Sequence, residues 1–117
     1  MPLSLRAKQS AFVRLVARLI DEATLRGYDL TFGETYRSKE EAARLAAAGL
    51  GIKGSLHCSR LAIDLNLFRD GKYLTDTESY QPLGEWWEAQ SRQDVECCWG
   101  GRFKDAGHFS IAHGGKK

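Results

Sequence analysis

The sequence predicts a single small domain of the α+β class. Its 117 residues are enough for one domain with one hydrophobic core. Apolar residues recur at helical spacing near the start of the chain and alternate with polar residues near its middle, which indicates both helices and strands. An Asp70-Gly71 pair directly follows the alternating segment and is typical of a tight hairpin turn between antiparallel strands.

The first element is a long amphipathic helix. Its apolar positions follow the i, i+3, i+4, i+7 pattern: Phe12, Leu15, Val16, Leu19, Ile20 and Ala23. Charged residues fall mainly between these positions, and Gly27 marks the end of the helix.

A strand over residues 28–36 and a helix over residues 38–48 follow. The strand segment is rich in Tyr, Thr and Phe. Ser38 and Glu41 have the spacing of a capping box, and Gly49 ends the helix. A glycine-rich loop over residues 49–54 then leads to a histidine, so we expect a mobile edge there.

The remaining elements are one well-marked strand, a hairpin and a closing region. Residues 61–68 alternate strictly, which places Asp64 on the polar face of a strand. Residues 72–74 return from the hairpin turn, residues 82–90 predict a further helix, and residues 97–111 predict closing strands.

The amino-acid composition indicates which classes of binding partner to expect. The net charge of +2 is too weak to indicate nucleic acid, although it is compatible with an anionic polymer such as a cell wall. No apolar run approaches the roughly 20 residues that span a membrane, and arginine and lysine interrupt the N-terminal segment, so no signal peptide is expected. The sequence therefore predicts synthesis in a cytoplasm, with separate delivery to any substrate outside.

The three cysteines do not form a disulfide framework. Cys58 stands alone and Cys97 and Cys98 are adjacent, a pattern that favours reduced, mostly buried thiols. The alternative, that Cys58 beside His57 is a zinc ligand or nucleophile, has no CxxC-type spacing to support it.

Two histidines lie near aspartates at ligand-like spacing. His57 precedes Asp64 by seven residues, and Asp105 precedes His108 by three. Two imidazoles and a carboxylate can hold zinc and leave its fourth position to water, while a spare carboxylate handles a proton. Each of these residues taken separately could instead be structural. The third histidine, His113, lies in a glycine-flanked tail that we expect to be exposed and frayed.

Hydrolysis also needs a positive charge near the developing oxyanion. Arg37 is the candidate because it lies between the predicted strand and the following helix. The alternative is an ordinary surface ion pair, which is what an arginine at such a position usually forms.

A compound motif then gives a family resemblance. Ser55-Leu56-His57, Ala62-Ile63-Asp64, Trp99-Gly100-Gly101-Arg102-Phe103 and Asp105-Ala106-Gly107-His108-Phe109 occur in order within residues 30–112. Together they resemble the M15 family of zinc peptidases, most closely the single-domain L-alanyl-D-glutamate endopeptidases that tailed phages use as endolysins. More distant relatives are the D-alanyl-D-alanine dipeptidases and carboxypeptidases, and the hedgehog signalling domain.

The resemblance implies specific roles. It assigns zinc to three ligands, His57, Asp64 and His108, and makes Asp105 the general acid/base. Arg37 would steady the substrate carbonyl, and Ser55 would hydrogen-bond within the site. The implied fold is a mostly antiparallel sheet with helices packed on one side, in which residues 1–27 are scaffold and residues 30–112 carry the metal site.

The implied function is that of a monomeric, zinc-dependent peptidoglycan hydrolase. It would cut the L-Ala–D-Glu bond of the stem peptide as a phage or prophage lysin, released through a separate pore or carried by a virion. Two alternatives stay open: a D-alanyl-D-alanine carboxypeptidase or dipeptidase, and a non-catalytic zinc domain that binds cell wall or protein. The aspartate at position 105, in place of the dipeptidases' glutamate, argues mildly against the dipeptidases.

One position departs from the family pattern. Arg60 stands where the family usually has glycine, three residues after the first histidine. Glycine adopts backbone conformations that arginine tolerates poorly, so we expect the loop to run differently here.

Overall fold

The computed structural model describes residues 3–52 and 54–117. Its elements are, in chain order, α1 (Leu5–Leu25), β1 (Asp29–Phe32), α2 (Lys39–Ala47), β2 (Ala62–Arg69), β3 (Lys72–Tyr73), α3 (Thr77–Glu88), β4 (Cys97–Trp99) and β5 (His108–Ile111). Two short 3₁₀ turns, Leu56–Ser59 and Gly100–Phe103, precede β2 and β5. Lys53, in the predicted mobile loop, lies outside the described residues.

The strands form one antiparallel sheet. Its order is β1-β2-β5-β4, with β3 pairing against the far end of β2. In this register Asp64 of β2 lies directly opposite His108 of β5, and Ile63 lies opposite Phe109. Because opposite residues in an antiparallel pair point to the same face, Asp64 and His108 share one face and the apolar pair shares the other. The predicted α+β fold is confirmed.

Helices α1 and α3 cover the apolar face of the sheet. The Trp87 ring makes edge-to-face contacts with Phe12 of α1 and Phe109 of β5. Its indole nitrogen donates to the backbone carbonyls of Cys98 and Ser110, both at 3.1 Å, so even this large buried ring leaves no polar atom unpaired. The core thus fixes β4 and β5 in place behind the polar face.

Two predicted boundaries were wrong. The first strand ends at Phe32 because the next two residues, Gly33 and Glu34, both bond to the backbone of one residue of β2, Asp64, which interrupts the regular ladder. The Gly33 N–H donates to the Asp64 carbonyl at 2.7 Å, and the Asp64 N–H donates to the Glu34 carbonyl at 2.8 Å. Helix α3 begins at Thr77 rather than at Pro82, because the Asp76 carboxylate caps the backbone N–H of Ser79. Pro82 therefore lies inside the helix, where it forgoes one backbone hydrogen bond.

The tail is ordered, contrary to expectation. His113 and Lys116 exchange two backbone hydrogen bonds of 3.0 Å across Gly114 and Gly115, whose φ angles are +59° and +79°. Glycine adopts such angles without strain, so the sequence Gly-Gly closes a tight hairpin. His113 is half-buried, with its Nδ1 atom 3.2 Å from the ammonium of Lys8 on α1.

No helix in residues 3–52 and 54–117 combines the length and apolar character needed to cross a bilayer.

Candidate metal centre and catalytic cleft

Three side chains converge on the polar face of the sheet. His57 comes from the first 3₁₀ turn, Asp64 from β2 and His108 from β5. Their ligand atoms all lie within 4.8 Å of one another. Both histidines are buried, and Asp64 is partly exposed. The structure therefore brings together the three residues that the sequence predicts as metal ligands.

The spacing of these atoms suits a metal better than it suits hydrogen bonds. Asp64 Oδ1 lies 3.4 Å from His57 Nε2 and 3.4 Å from His108 Nδ1, and this oxygen is buried without a hydrogen-bond partner. Two donors about 2.0–2.1 Å from a tetrahedral zinc ion stand about 3.4 Å apart. Zinc therefore fits the separation of the Asp64 oxygen from the two histidine nitrogens. It also fits the buried oxygen that lacks a partner and the donor set of two imidazoles and one carboxylate.

A backbone carbonyl fixes the tautomer of His57. Its Nδ1 atom donates to the carbonyl oxygen of Thr35 at 3.0 Å, which leaves the lone pair of Nε2 directed at the metal position. Thr35 takes part only through its backbone.

The charges of the metal-free cluster support one another. Burial opposes ionisation of Asp64, but the neighbouring imidazoles of His108 and His57 outweigh it and lower the pKa of Asp64 to about 2. Burial likewise opposes protonation of His57, yet Asp64 and the Thr35 carbonyl together raise the pKa of His57 above its ordinary value. The carboxylate is therefore ionised and ready for a cation at any physiological pH.

Asp105 lies at the mouth of the cluster. Its Oδ2 atom is 3.8 Å from His108 Nδ1, and 57% of its side chain is exposed. Despite that exposure, the surrounding walls of the cleft and the charge of Asp64 raise the pKa of Asp105. A carboxyl beside the ligands, free of the metal and with a raised pKa, has the placement expected of a general acid/base.

The Trp-Gly-Gly segment places this carboxyl. A Cβ on Gly100 would lie 2.2 Å from the carbonyl oxygen of Asp105 and 2.6 Å from Cβ of His108. Only glycine allows the turn to pack this closely behind both residues. The Trp99 indole nitrogen donates to the carbonyl of Ala106 at 2.8 Å and ties down the loop between Asp105 and His108.

Arg60 adopts a backbone conformation that favours glycine. Its φ angle is +56°, in the left-handed region, where it ends the turn that carries His57. The expectation that the loop runs differently from that of the family stays a prediction. The guanidinium stacks 4.1 Å from the ring centroid of Tyr36, a cation–π contact that offsets part of the cost of the left-handed conformation.

Arg37 and Ser55 both line the cleft. The Arg37 guanidinium is only 13% exposed and is held by Glu34, with Nε 2.7 Å from Oε1. The Ser55 hydroxyl is buried and accepts the backbone N–H of His57 at 3.2 Å, so it shapes the turn that presents His57. The roles in substrate binding assigned to these two residues stay predictions.

The cysteines lie apart from this chemistry. The Cys58 thiol points toward the backbone carbonyl of Ser38 at 3.7 Å and is not part of the metal cluster. Burial raises the pKa of both Cys97 and Cys98 to about 11, which keeps these thiols protonated. All three are free, as predicted.

Two grooves meet at the cluster and share Asp64 and Asp105. One, of about 330 Å³, also contains both histidines and Arg37; the other, of about 300 Å³, runs past Asn66 and Tyr80. A groove of about 380 Å³ between α1 and β1 is larger, but it contains none of the metal ligands. The chemistry therefore locates the site in the pair of grooves rather than in the groove between α1 and β1.

The sequence missed several residues of the cleft. The site is held or lined by seven residues that were not predicted as site residues: Glu34, Thr35, Leu50, Ile52, Phe103, Lys116 and Lys117. Three kinds of signal were present in the sequence: Phe103 lies in the compound motif, Leu50 and Ile52 lie in the glycine-rich loop, and Glu34 stands three positions before Arg37. The other three residues carried no signal.

Comparison with known proteins agrees with this geometry. A family model described as D-alanyl-D-alanine carboxypeptidase, one of the M15 peptidases, matches residues 49–111. The fold is similar to the crystal structure of the Serratia marcescens L-Ala D-Glu endopeptidase ChiX, with a TM-score of 0.73 and 20% identity over 92% of this chain and 83% of that chain. It is also similar to a variant of the vancomycin resistance D,D-pentapeptidase VanY from a VanB-type cassette, crystallised with Zn(II), with a TM-score of 0.57 and 18% identity over 88% and 71% of the chains.

No curated protein matches the sequence significantly. The family match spans more than half of the chain and includes all three ligands and Asp105. The chain therefore belongs to the M15 family of metallopeptidases.

Proposed function

We propose that the protein is a zinc-dependent peptidoglycan hydrolase that cleaves the L-Ala–D-Glu bond of the stem peptide. The observation that carries this proposal is the arrangement of three ligand atoms at zinc spacing with the free carboxylate of Asp105 beside them. A purely structural metal site closes its coordination with protein ligands, whereas a catalytic one keeps a position open. Three ligands and an adjacent acid are the catalytic pattern.

The residues divide the work of hydrolysis. His57, Asp64 and His108 would hold the zinc, which when bound would supply a Lewis acid able to lower the pKa of a water toward neutrality. Asp105 accepts the proton of the attacking water and returns it to the leaving amine, a role that its position 3.8 Å from His108 Nδ1 allows.

Arg37 donates to the oxygen of the scissile carbonyl. Glu34 holds its guanidinium in one orientation at the cleft, so that the positive charge is in place before the oxyanion develops.

Two features support cleavage of the L-Ala–D-Glu bond. The greater fold similarity is to an L-Ala D-Glu endopeptidase, with a TM-score of 0.73 against 0.57 for the D,D-pentapeptidase. The acid at position 105 is an aspartate, whose arm is one methylene shorter than that of the dipeptidases' glutamate.

The alternative is a D-alanyl-D-alanine carboxypeptidase, which the description of the matching family favours. Product analysis on purified muropeptides separates the two. We expect a new amino-terminal D-Glu and no free D-alanine. Release of D-alanine with the L-Ala–D-Glu bond intact would replace our assignment with the alternative.

A non-catalytic zinc domain is the second rival. The Asp105→Ala variant distinguishes it, because this carboxylate has a function only if a proton is transferred. We expect the variant to keep its zinc and to lose wall hydrolysis. Equal hydrolysis by the variant and the wild type would remove Asp105 from the mechanism.

We further propose that the enzyme is a monomeric phage or prophage lysin that reaches the wall through a separately made pore or from a virion. Sedimentation tests the monomer, with 13.1 kDa as the expected mass. Co-expression in a bacterium, with and without a pore-forming protein, tests the delivery route. Lysis without any pore would contradict it.

A further inference from the structure

The C-terminal hairpin places a lysine on the wall of the catalytic cleft. The paired backbones of His113 and Lys116, and the contact of His113 with α1, hold this hairpin against the domain. Lys116 is half-buried and lines the same groove as His57 and Arg37. Its ammonium lies over Gly54, 3.1 Å from where a Cβ of that residue would stand, beside the turn that presents His57.

This ammonium has no carboxylate partner among residues 3–52 and 54–117. The other cations of the groove are engaged, because Arg37 pairs with Glu34 and Lys117 lies 3.3 Å from Glu96. A half-buried lysine without an ion pair loses part of its hydration, and no opposite charge in the protein compensates for that loss. Such a cation at a substrate cleft suits an anionic group on the ligand.

We infer that Lys116 is a specificity-determining residue that binds a free carboxylate of the peptide substrate. The inference rests on the proposed function. A glutamyl residue joined to its neighbours through its amine and its γ-carboxyl keeps a free α-carboxylate next to the bond that would be cut. Asp105 would repel that carboxylate, and Lys116 supplies the opposing charge at the same wall.

The test compares two synthetic peptides, each containing L-Ala-γ-D-Glu-L-Lys. One has the free α-carboxylate on the glutamyl residue and the other has the α-carboxamide. We expect the wild-type protein to prefer the carboxylate peptide by about tenfold in kcat/KM, the size of a charge-assisted hydrogen bond that is partly open to water. The preference should appear mainly in KM, because the carboxylate does not react.

The variants are Lys116→Met, Lys116→Arg and a matched control, Lys72→Met, on the exposed hairpin strand β3. We expect Lys116→Met to bring the ratio of the two kcat/KM values close to one, Lys116→Arg to keep most of the preference, and Lys72→Met to leave it unchanged. The ratio is measured within each variant, so a smaller folded or zinc-loaded fraction cancels from it.

The outcomes separate the two claims. A wild-type protein that cuts neither peptide at the L-Ala–D-Glu bond contradicts the proposed function. A wild-type protein that cuts both peptides, with a ratio that Lys116→Met leaves unaltered, overturns the role of Lys116 and leaves the proposed function intact.

Discussion

Removal of the metal should reverse the effect of pH on thermal stability near neutrality. In the metal-free protein the pKa of His57 is raised by Asp64 and the Thr35 carbonyl. A group with a raised pKa contributes stability that is fully present below its unfolded pKa, about 6.5, and that is lost as pH rises through the folded value. The chelated protein should therefore become less stable from about pH 5.5 to about pH 8.

The structure sets the size of this effect. The pKa of Asp64 falls from 3.8 to about 2. That net shift, which remains after the penalty for burial, corresponds to about 2 kcal/mol, and it sets the order of magnitude of what loss of the proton on His57 removes. For a domain of this length the melting temperature would fall by roughly 8 °C. The contribution of Asp64 itself is lost only as pH falls through about 2, so it does not affect the slope near neutrality.

With zinc bound, thermal stability should change with pH in the opposite direction. Histidine must be neutral to bind the metal, so protons compete with zinc at His57. Below the pKa of that histidine, each unit by which the pH falls weakens zinc binding about tenfold, or about 1.4 kcal/mol, for each proton that zinc must displace. The zinc-loaded protein should therefore become more stable as pH rises over the same range.

Thermal unfolding followed by circular dichroism, with chelator and with one equivalent of zinc, measures both slopes. The control is His113→Gln, which removes the histidine outside the cluster and should leave the reversal in place. Parallel slopes in the two samples would refute the reasoning, since they would mean that zinc and protons do not compete at His57.

Three further changes test the cleft. Asp105→Ala should lower kcat by about 10²- to 10⁴-fold in a muropeptide assay while zinc content by metal analysis stays at one per chain; loss of the zinc would make Asp105 a ligand instead. Gly100→Ala should lower the free energy of unfolding by about 1–3 kcal/mol and weaken zinc binding, because the added methyl group collides with the Asp105 carbonyl and with His108. Denaturant unfolding measures this change. An unchanged free energy of unfolding would mean that the turn relaxes freely. The free energy of unfolding of Arg60→Gly should stay within about 1 kcal/mol of that of the wild type. Glycine relieves the strain of the left-handed conformation, but it loses the stacking on Tyr36 and gives the unfolded chain more entropy, so these effects offset one another. A larger change in either direction in the same assay would contradict this balance.

The metal ligands could be predicted mainly because the compound motif that contains them resembles the M15 family, since their spacing alone left structural roles open. The alternation of residues 61–68 also placed Asp64 on the polar face of β2, and the pairing of β2 with β5 puts His108 opposite it. The capping residues of α2 and the turn at Asp70-Gly71 were likewise visible, since each depends on a few neighbouring residues.

The supporting contacts could not be predicted because they join distant parts of the chain. The carbonyl of Thr35 has no side-chain signature, yet it fixes the tautomer of His57. The hairpin that carries Lys116 reads as a polar, glycine-rich tail until His113 is seen against α1. The stacking of Arg60 on Tyr36, which helps arginine to hold the left-handed conformation, likewise had no signal in the sequence.

The most direct test of the central claim is mass spectrometry of the fragments that the protein releases from purified bacterial cell walls, before and after removal of zinc by a chelator. The account predicts fragments that begin with D-Glu, their disappearance in chelator, and their return when zinc is restored. The same fragments at the same rate from protein shown to be free of metal would contradict it.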